Sequence, residues 1–126
     1  MRKGDKVILC YTFGLHFFAA FLGCLRAGVV AILVYPPTPP LTKSLTKMNK
    51  VIEDCQPVLI LTDAKIFAFK KFDELKILSK SRNMWPKGID YKVTDAKLGR
   101  RSVKATARIH QDTITVEDIA FLQYTS

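Results

Sequence analysis

The side chains with the means to do chemistry in this chain are few, and their spacing rules out several chemistries at once. Cys10, Cys24 and Cys55 make an odd count with no Cys-x-x-Cys pair. Such a pattern builds neither a disulfide framework nor a zinc site. Each cysteine falls inside an apolar run, so the three read as unpaired, buried thiols in a reducing, cytoplasmic setting. His16 and His110 are the two histidines. They are too few for a His-rich metal cluster, and they name no Ser-His-Asp constellation. No catalytic and no metal-binding residue is therefore assigned. The remaining chemical feature is charge: 20 Lys and Arg against 11 Asp and Glu, a formal net charge of +9. Lys65, Lys70, Lys71, Lys76 and Lys80 interleave with Asp73 and Glu74, as a solvated helix face would. The denser group Arg100, Arg101, Lys104 and Arg108 has no aromatic side chains among it on which bases would stack. No nucleic-acid module accompanies the charge, so no nucleic-acid partner is expected.

The elements that must position any site begin with Lys6 to Pro40. Lys6–Tyr11 is a compact, largely β-branched run, as suits a parallel strand covered on both faces. Thr12 and Gly14 supply a turn. Across Leu15–Ala27, Phe18, Phe21, Leu22 and Leu25 share one side of a 3.6-residue wheel, opposite His16, Ala20, Gly23 and Ala27. The bulky side is expected to enter the core and the small side to admit a neighbouring backbone. Gly28 is placed as a left-handed helix cap, with Arg26 complementing the dipole. Val29–Tyr35 is the second strand, stopped by Pro36, Pro37, Pro39 and Pro40, which offer no amide donor to a sheet. The unit is thus a β-α-β crossover.

A basic start at Arg2 and Lys3 followed by an apolar run also has the look of a secretory signal or membrane span. Asp5 within the basic region, Arg26 and Gly28 between the two apolar runs, and the lack of a convincing Ala-x-Ala-like cleavage site favour the crossover, with no membrane span.

Leu41–Gln56 carries Leu45, Met48, Ile52 and Cys55 at helical spacing, with Lys43, Lys47 and Lys50 toward the other side. Pro57 closes it, and Val58–Thr62 is a third strand. Asp63 then caps a helix running to about Ser81, with Ile66, Phe69, Phe72 and Leu75 or Lys76 as its inward stripe. After the break at Asn83–Gly88, Ile89–Thr94 reads as a fourth strand, Asp95–Gln111 as an irregular connection, and Ile119–Tyr124 as a final strand. A chain of 126 residues, 48% hydrophobic, can bury a real core. The fold class that follows is α/β, an open, mainly parallel sheet with helices on its faces.

Three stretches together resemble the fatty acyl-AMP ligases of the acyl-adenylate-forming, AMP-binding superfamily. They are Gly4-Asp-Lys-Val7, Phe17 to Val30 running into Val34-Tyr-Pro-Pro37, and Asp118-Ile-Ala-Phe-Leu-Gln-Tyr-Thr-Ser126. In that family the last words lead into a Gly-, Ser- and Thr-rich loop around the phosphates of ATP. The resemblance implies that residues 1–126 form an incomplete N-terminal segment of an adenylation domain, ending where the phosphate loop starts. It implies ATP and Mg as cofactors, with Thr125 and Ser126 opening the ATP site and Tyr124 fixing the strand end beneath them. It also implies a fatty acid as substrate and an acyl carrier protein, through its phosphopantetheine thiol, as acceptor. The chain alone is expected to be inactive. The alternatives are a segment of an acyl-CoA synthetase, which shares the first half-reaction, and a non-catalytic basic α/β interaction domain.

Overall fold

The structure is a computed structural model, and it describes residues 2–38, 41–75, 85–94 and 114–124. Five strands and three helices are present among them: β1 (Lys6–Cys10), α1 (Leu15–Ala27), β2 (Val30–Val34), α2 (Leu41–Cys55), β3 (Leu59–Thr62), α3 (Ala64–Leu75), β4 (Asp90–Val93) and β5 (Phe121–Gln123). The strands form one sheet in the order β4-β3-β1-β2-β5, and every pairing is parallel. The mainly parallel α/β fold expected from the sequence is therefore the fold observed. The expected segments Asp95–Gln111 and Lys76–Ser81, and the basic residues at 100–108, lie outside the described residues.

The apolar runs behave as strands covered on both faces. Val7, Leu9 and Tyr11 face one layer with Cys24, Val29, Ala31 and Leu61, and Phe17, Ala20, Phe21 and Ala27 of α1 pack onto it. Ile8, Cys10, Ile32 and Ile60 face the other, against Leu45, Met48 and Cys55 of α2, Ile66 of α3, and Trp85. The chain moves from β1 to β2 in one direction across the sheet and from β2 through β3 to β4 in the other. Right-handed crossovers then require α1 on one face and α2 and α3 on the opposite face, as found. Gly28 caps α1 with φ 73°, and the adjacent Val29 amide donates to the Cys24 carbonyl at 3.2 Å. A Cβ added at Gly28 would stand 3.3 Å from Lys3 Cγ on a backbone that L-residues resist.

Two expected helix faces are corrected. In α1 Phe21 packs inward as expected, but Phe18 and Leu22 do not: Phe18 is 46% and Leu22 61% exposed, while Phe17, Ala20, Cys24 and Ala27 turn to the sheet. Small residues at that contact let the helix lie close to the strands, and Phe17 and Phe21, stacked 6.0 Å apart, fill its flank. In α3 the inward stripe is Ile66, Lys70 and Asp73, whereas Phe69, Phe72 and Leu75 are exposed. Polar groups are tolerated there because each is paired. Lys70 Nζ meets Glu74 at 2.7 Å and lies 4.5 Å from the centre of the Tyr91 ring, and Asp73 accepts the Trp85 indole N–H at 2.8 Å. Lys70 is thus not part of a solvated basic face, although Lys65 and Lys71 are exposed.

Candidate functional site: the carboxyl edge of the sheet

All five strands point the same way, so their carboxyl ends share one edge. In open α/β sheets ligands collect at that edge, in the crevice where neighbouring strands send their connections to opposite faces. Here β1 and β3 are such neighbours: β1 continues into α1 on one face and β3 into α3 on the other. The residues just past them are tied together. The Thr12 amide and hydroxyl both donate to Asp63 Oδ2, the amide at 2.9 Å, and the Ile66 amide donates to Asp63 Oδ1 at 2.8 Å. Thr62 Oγ1 donates to the Cys10 carbonyl at 2.8 Å, and Tyr11 and Thr94 share a hydroxyl–hydroxyl hydrogen bond of 2.6 Å. Burial alone would raise the Asp63 pKa, but the hydrogen bonds from Thr12 and Ile66 outweigh it and hold the carboxyl below its ordinary value. A carboxylate so fully engaged is a clasp between β1 and α3.

The second part of the edge is formed by β2 and β5. The register sets Ala31 beside Phe121, Ile32 beside Leu122 and Leu33 beside Gln123, so the end of β5 adjoins Val34 and the exposed Tyr35. Past the strand, the Tyr124 hydroxyl donates to Asp54 Oδ2 in the last turn of α2. That bond, a carboxylate accepting from the phenol, pushes the Tyr124 pKa up to about 12. Thr125 and Ser126, the residues implied to open an ATP site, lie outside the described residues. Asp54 carries no signal in the sequence, because its partner is 70 positions away.

The cysteines are free and buried, as their apolar settings require. Desolvation raises Cys10 to about 12 and Cys24 to about 11, and it raises Cys55 as well. Thiols held so far from ionisation are poor nucleophiles at neutral pH. Among the described residues no three His, Cys, Asp or Glu side chains gather as they would around a metal ion. No helix among them is long and apolar enough to cross a membrane.

The family described as AMP-binding enzyme matches residues 1–126. A medium-chain-fatty-acid–[acyl-carrier-protein] ligase of Moorena producens, JamA, is 34% identical over 125 residues, 98% of this chain and 20% of its own length. A long-chain-fatty-acid–AMP ligase of Mycolicibacterium smegmatis is 27% identical over 126 residues, 99% of this chain and 18% of its own. The chain thus spans about a fifth of the length of these curated relatives. Among solved structures, the fatty acyl-adenylate ligase of L. pneumophila in complex with acyl adenylate and pyrophosphate aligns with 100% of this chain and 19% of its own, at a TM-score of 0.71 and 30% identity. With the family match running from the first residue to the last, on a fold shared with an acyl-adenylate ligase, the chain belongs to the AMP-binding enzyme family.

Proposed function

We propose that these residues serve as the opening part of the adenylation domain of a cytoplasmic fatty-acid-activating ligase. The reading rests most heavily on one observation: the whole chain aligns, at 30% identity, with a fatty acyl-adenylate ligase solved in complex with acyl adenylate and pyrophosphate. In the reaction, a fatty-acid carboxylate oxygen attacks the α-phosphorus of ATP and pyrophosphate leaves. A thiol then attacks the activated carbonyl and AMP leaves. The acceptor favoured is the phosphopantetheine thiol of an acyl carrier protein, because the relative JamA is a medium-chain-fatty-acid–[acyl-carrier-protein] ligase. Coenzyme A as acceptor is the outcome that a direct acceptor assay would separate. Nucleic acid has no part in the reading.

Within that scheme this chain contributes a scaffold. Parallel β5 brings the main chain to the carboxyl edge, and the two residues next in sequence after Tyr124 are Thr125 and Ser126. Their hydroxyls and amides are donors of the kind that hold polyphosphate without adding charge. Magnesium is implied by the resemblance, and the described residues offer no cluster of ligands for it.

Alignment of the carboxylate and absorption of phosphate charge need many donors at once. Losing a single such donor costs on the order of 10²- to 10³-fold in rate, so the 126 residues alone should show no adenylation above background. Fatty-acid-dependent exchange of labelled pyrophosphate into ATP tests this. The expected result is exchange by a chain extended to the length of its relatives and none by residues 1–126. Exchange by the short chain, or none by the extended one, would overturn the proposal.

A further inference from the structure

The strand that leads to Thr125 and Ser126 is weakly built by its backbone. Among the described residues β5 has three residues and one neighbour, β2, and none of the core's buried hydrophobic residues lies between 114 and 124. A short strand with so little burial opens readily unless side chains pin it. Phe121 leans on Phe21 of α1, ring centres 5.6 Å apart, and Leu122 packs into the cluster on the α2 side. Both anchors lie within the strand. Beyond it, alternation returns the side chain of residue 124 to the face of Leu122, where α2 lies. The Tyr124 hydroxyl meets Asp54 there. The helix end that carries Asp54 is itself fixed: Cys55 is buried next to it, the Gln56 amide donates to the Ile52 carbonyl at 2.9 Å, and Pro57 stops the helix.

We infer that Asp54 is a positioning residue for the ATP phosphate site, acting through Tyr124 to hold the carboxyl end of β5 and so the placement of the hydroxyl-bearing residues that follow. This deepens the function proposed above and rests on it. The tether joins a helix on one face of the sheet to the backbone just ahead of Thr125 and Ser126. A phenol–carboxylate bond suits this task, because a charged acceptor makes a stronger and shorter hydrogen bond than a neutral one. Asp54 touches no reacting atom in this scheme. Its loss should therefore weaken ATP binding through misplacement, while the fatty-acid site is left alone.

The test has two arms. In the extended ligase, Asp54→Ala and Tyr124→Phe should each raise the KM for ATP about tenfold, the worth of one charge-assisted hydrogen bond, with the KM for fatty acid unchanged. Asp54→Asn keeps an acceptor oxygen and should recover most of the loss. A KM for ATP unchanged in Asp54→Ala, or an Asp54→Asn variant as impaired as Asp54→Ala, would overturn the inference. The second arm needs no catalysis: deuterium exchange of the 119–124 peptide in the chain itself should speed up in Asp54→Ala and not in Asp54→Asn. If the wild-type extended protein shows no fatty-acid-dependent exchange of pyrophosphate, the proposed function fails. The tether then stands or falls on the deuterium arm, and unaltered exchange in Asp54→Ala would refute it.

Discussion

Asp63 illustrates how one carboxylate takes two structural duties. Its place between an apolar strand and a helical pattern announces an N-cap, and the Ile66 amide, three residues on, does donate to it. The grip on Thr12, 51 positions earlier, has no counterpart in local sequence, because it depends on β1 and β3 being neighbours. Replacing Asp63 with Ala removes the cap and the acceptor of three hydrogen bonds, a buried one from Ile66 and two part-buried ones from Thr12. A missing cap costs about 1 kcal/mol and an unmet buried donor as much again or more, so the loss should be roughly 3 kcal/mol in urea denaturation at pH 7. The pH dependence has a definite sign. The folded-state pKa is depressed, so the unfolded chain binds the proton more readily, and the stabilisation is complete only above the ordinary carboxylate range. It declines as pH falls through the depressed pKa. The stability gap between wild type and Asp63→Ala should accordingly be widest near neutrality and narrow in acid; a gap that widens in acid would contradict the assignment.

Among the elements, legibility followed polarity. Lys43, Lys47 and Lys50 mark the outside of α2, and its buried side, Leu45, Met48 and Cys55, is the one the periodicity selects. In α1 the only charged residue other than a histidine is Arg26, so both sides of the wheel are apolar and periodicity offers no reason to prefer either. Packing decides: Ala20, Cys24 and Ala27 allow close approach to the sheet with Phe17 and Phe21 filling beside them, and Leu15, Phe18 and Leu22 stand outside. In α3 the misleading signal was the phenylalanines. Lys70 and Asp73 displace them from the interior because Glu74, Tyr91 and Trp85, some distant in sequence, supply their partners. The observed setting of α1 predicts an asymmetry between its sides. Leu15→Gln and Leu22→Gln, at positions 84% and 61% exposed, should change stability by no more than about 0.5 kcal/mol and improve solubility. Ala20→Leu, on the sheet side, should cost about 1–3 kcal/mol by overpacking. Equal losses on the two sides in chemical denaturation would mean that α1 is turned the other way.

On the scale of the whole molecule, stability is centred on β1 and falls away toward both edges of the sheet. Val7, Ile8 and Leu9 are completely buried, with strands on both sides and helices over both faces. Each such side chain removed from water is worth about 1.5–3 kcal/mol, and their amides open only when the sheet itself comes apart. Among the described residues β4 and β5 each have a single neighbour, and both carry exposed residues: Asp90 and Lys92 in one, Phe121 and Gln123 in the other. Their positions also differ in origin. β4 follows β3 through one helix, as successive crossovers lead one to expect, while β5 returns from the opposite edge to pair with β2, with Ala31 meeting Phe121 across 90 positions. Nothing in the spacing of apolar residues specifies so distant a partner, which is why the last strand was readable as a strand without its place in the sheet. Hydrogen–deuterium exchange across the chain should therefore be slowest in β1, slow in β2 and β3, and fastest among the strands in β4 and β5. Protection in β5 equal to that in β1 would mean that it belongs to the cooperative core. The lower stability at that edge also makes the side-chain hold on Tyr124 consequential, since a strand with little burial of its own takes its order from Phe21, β2 and Asp54.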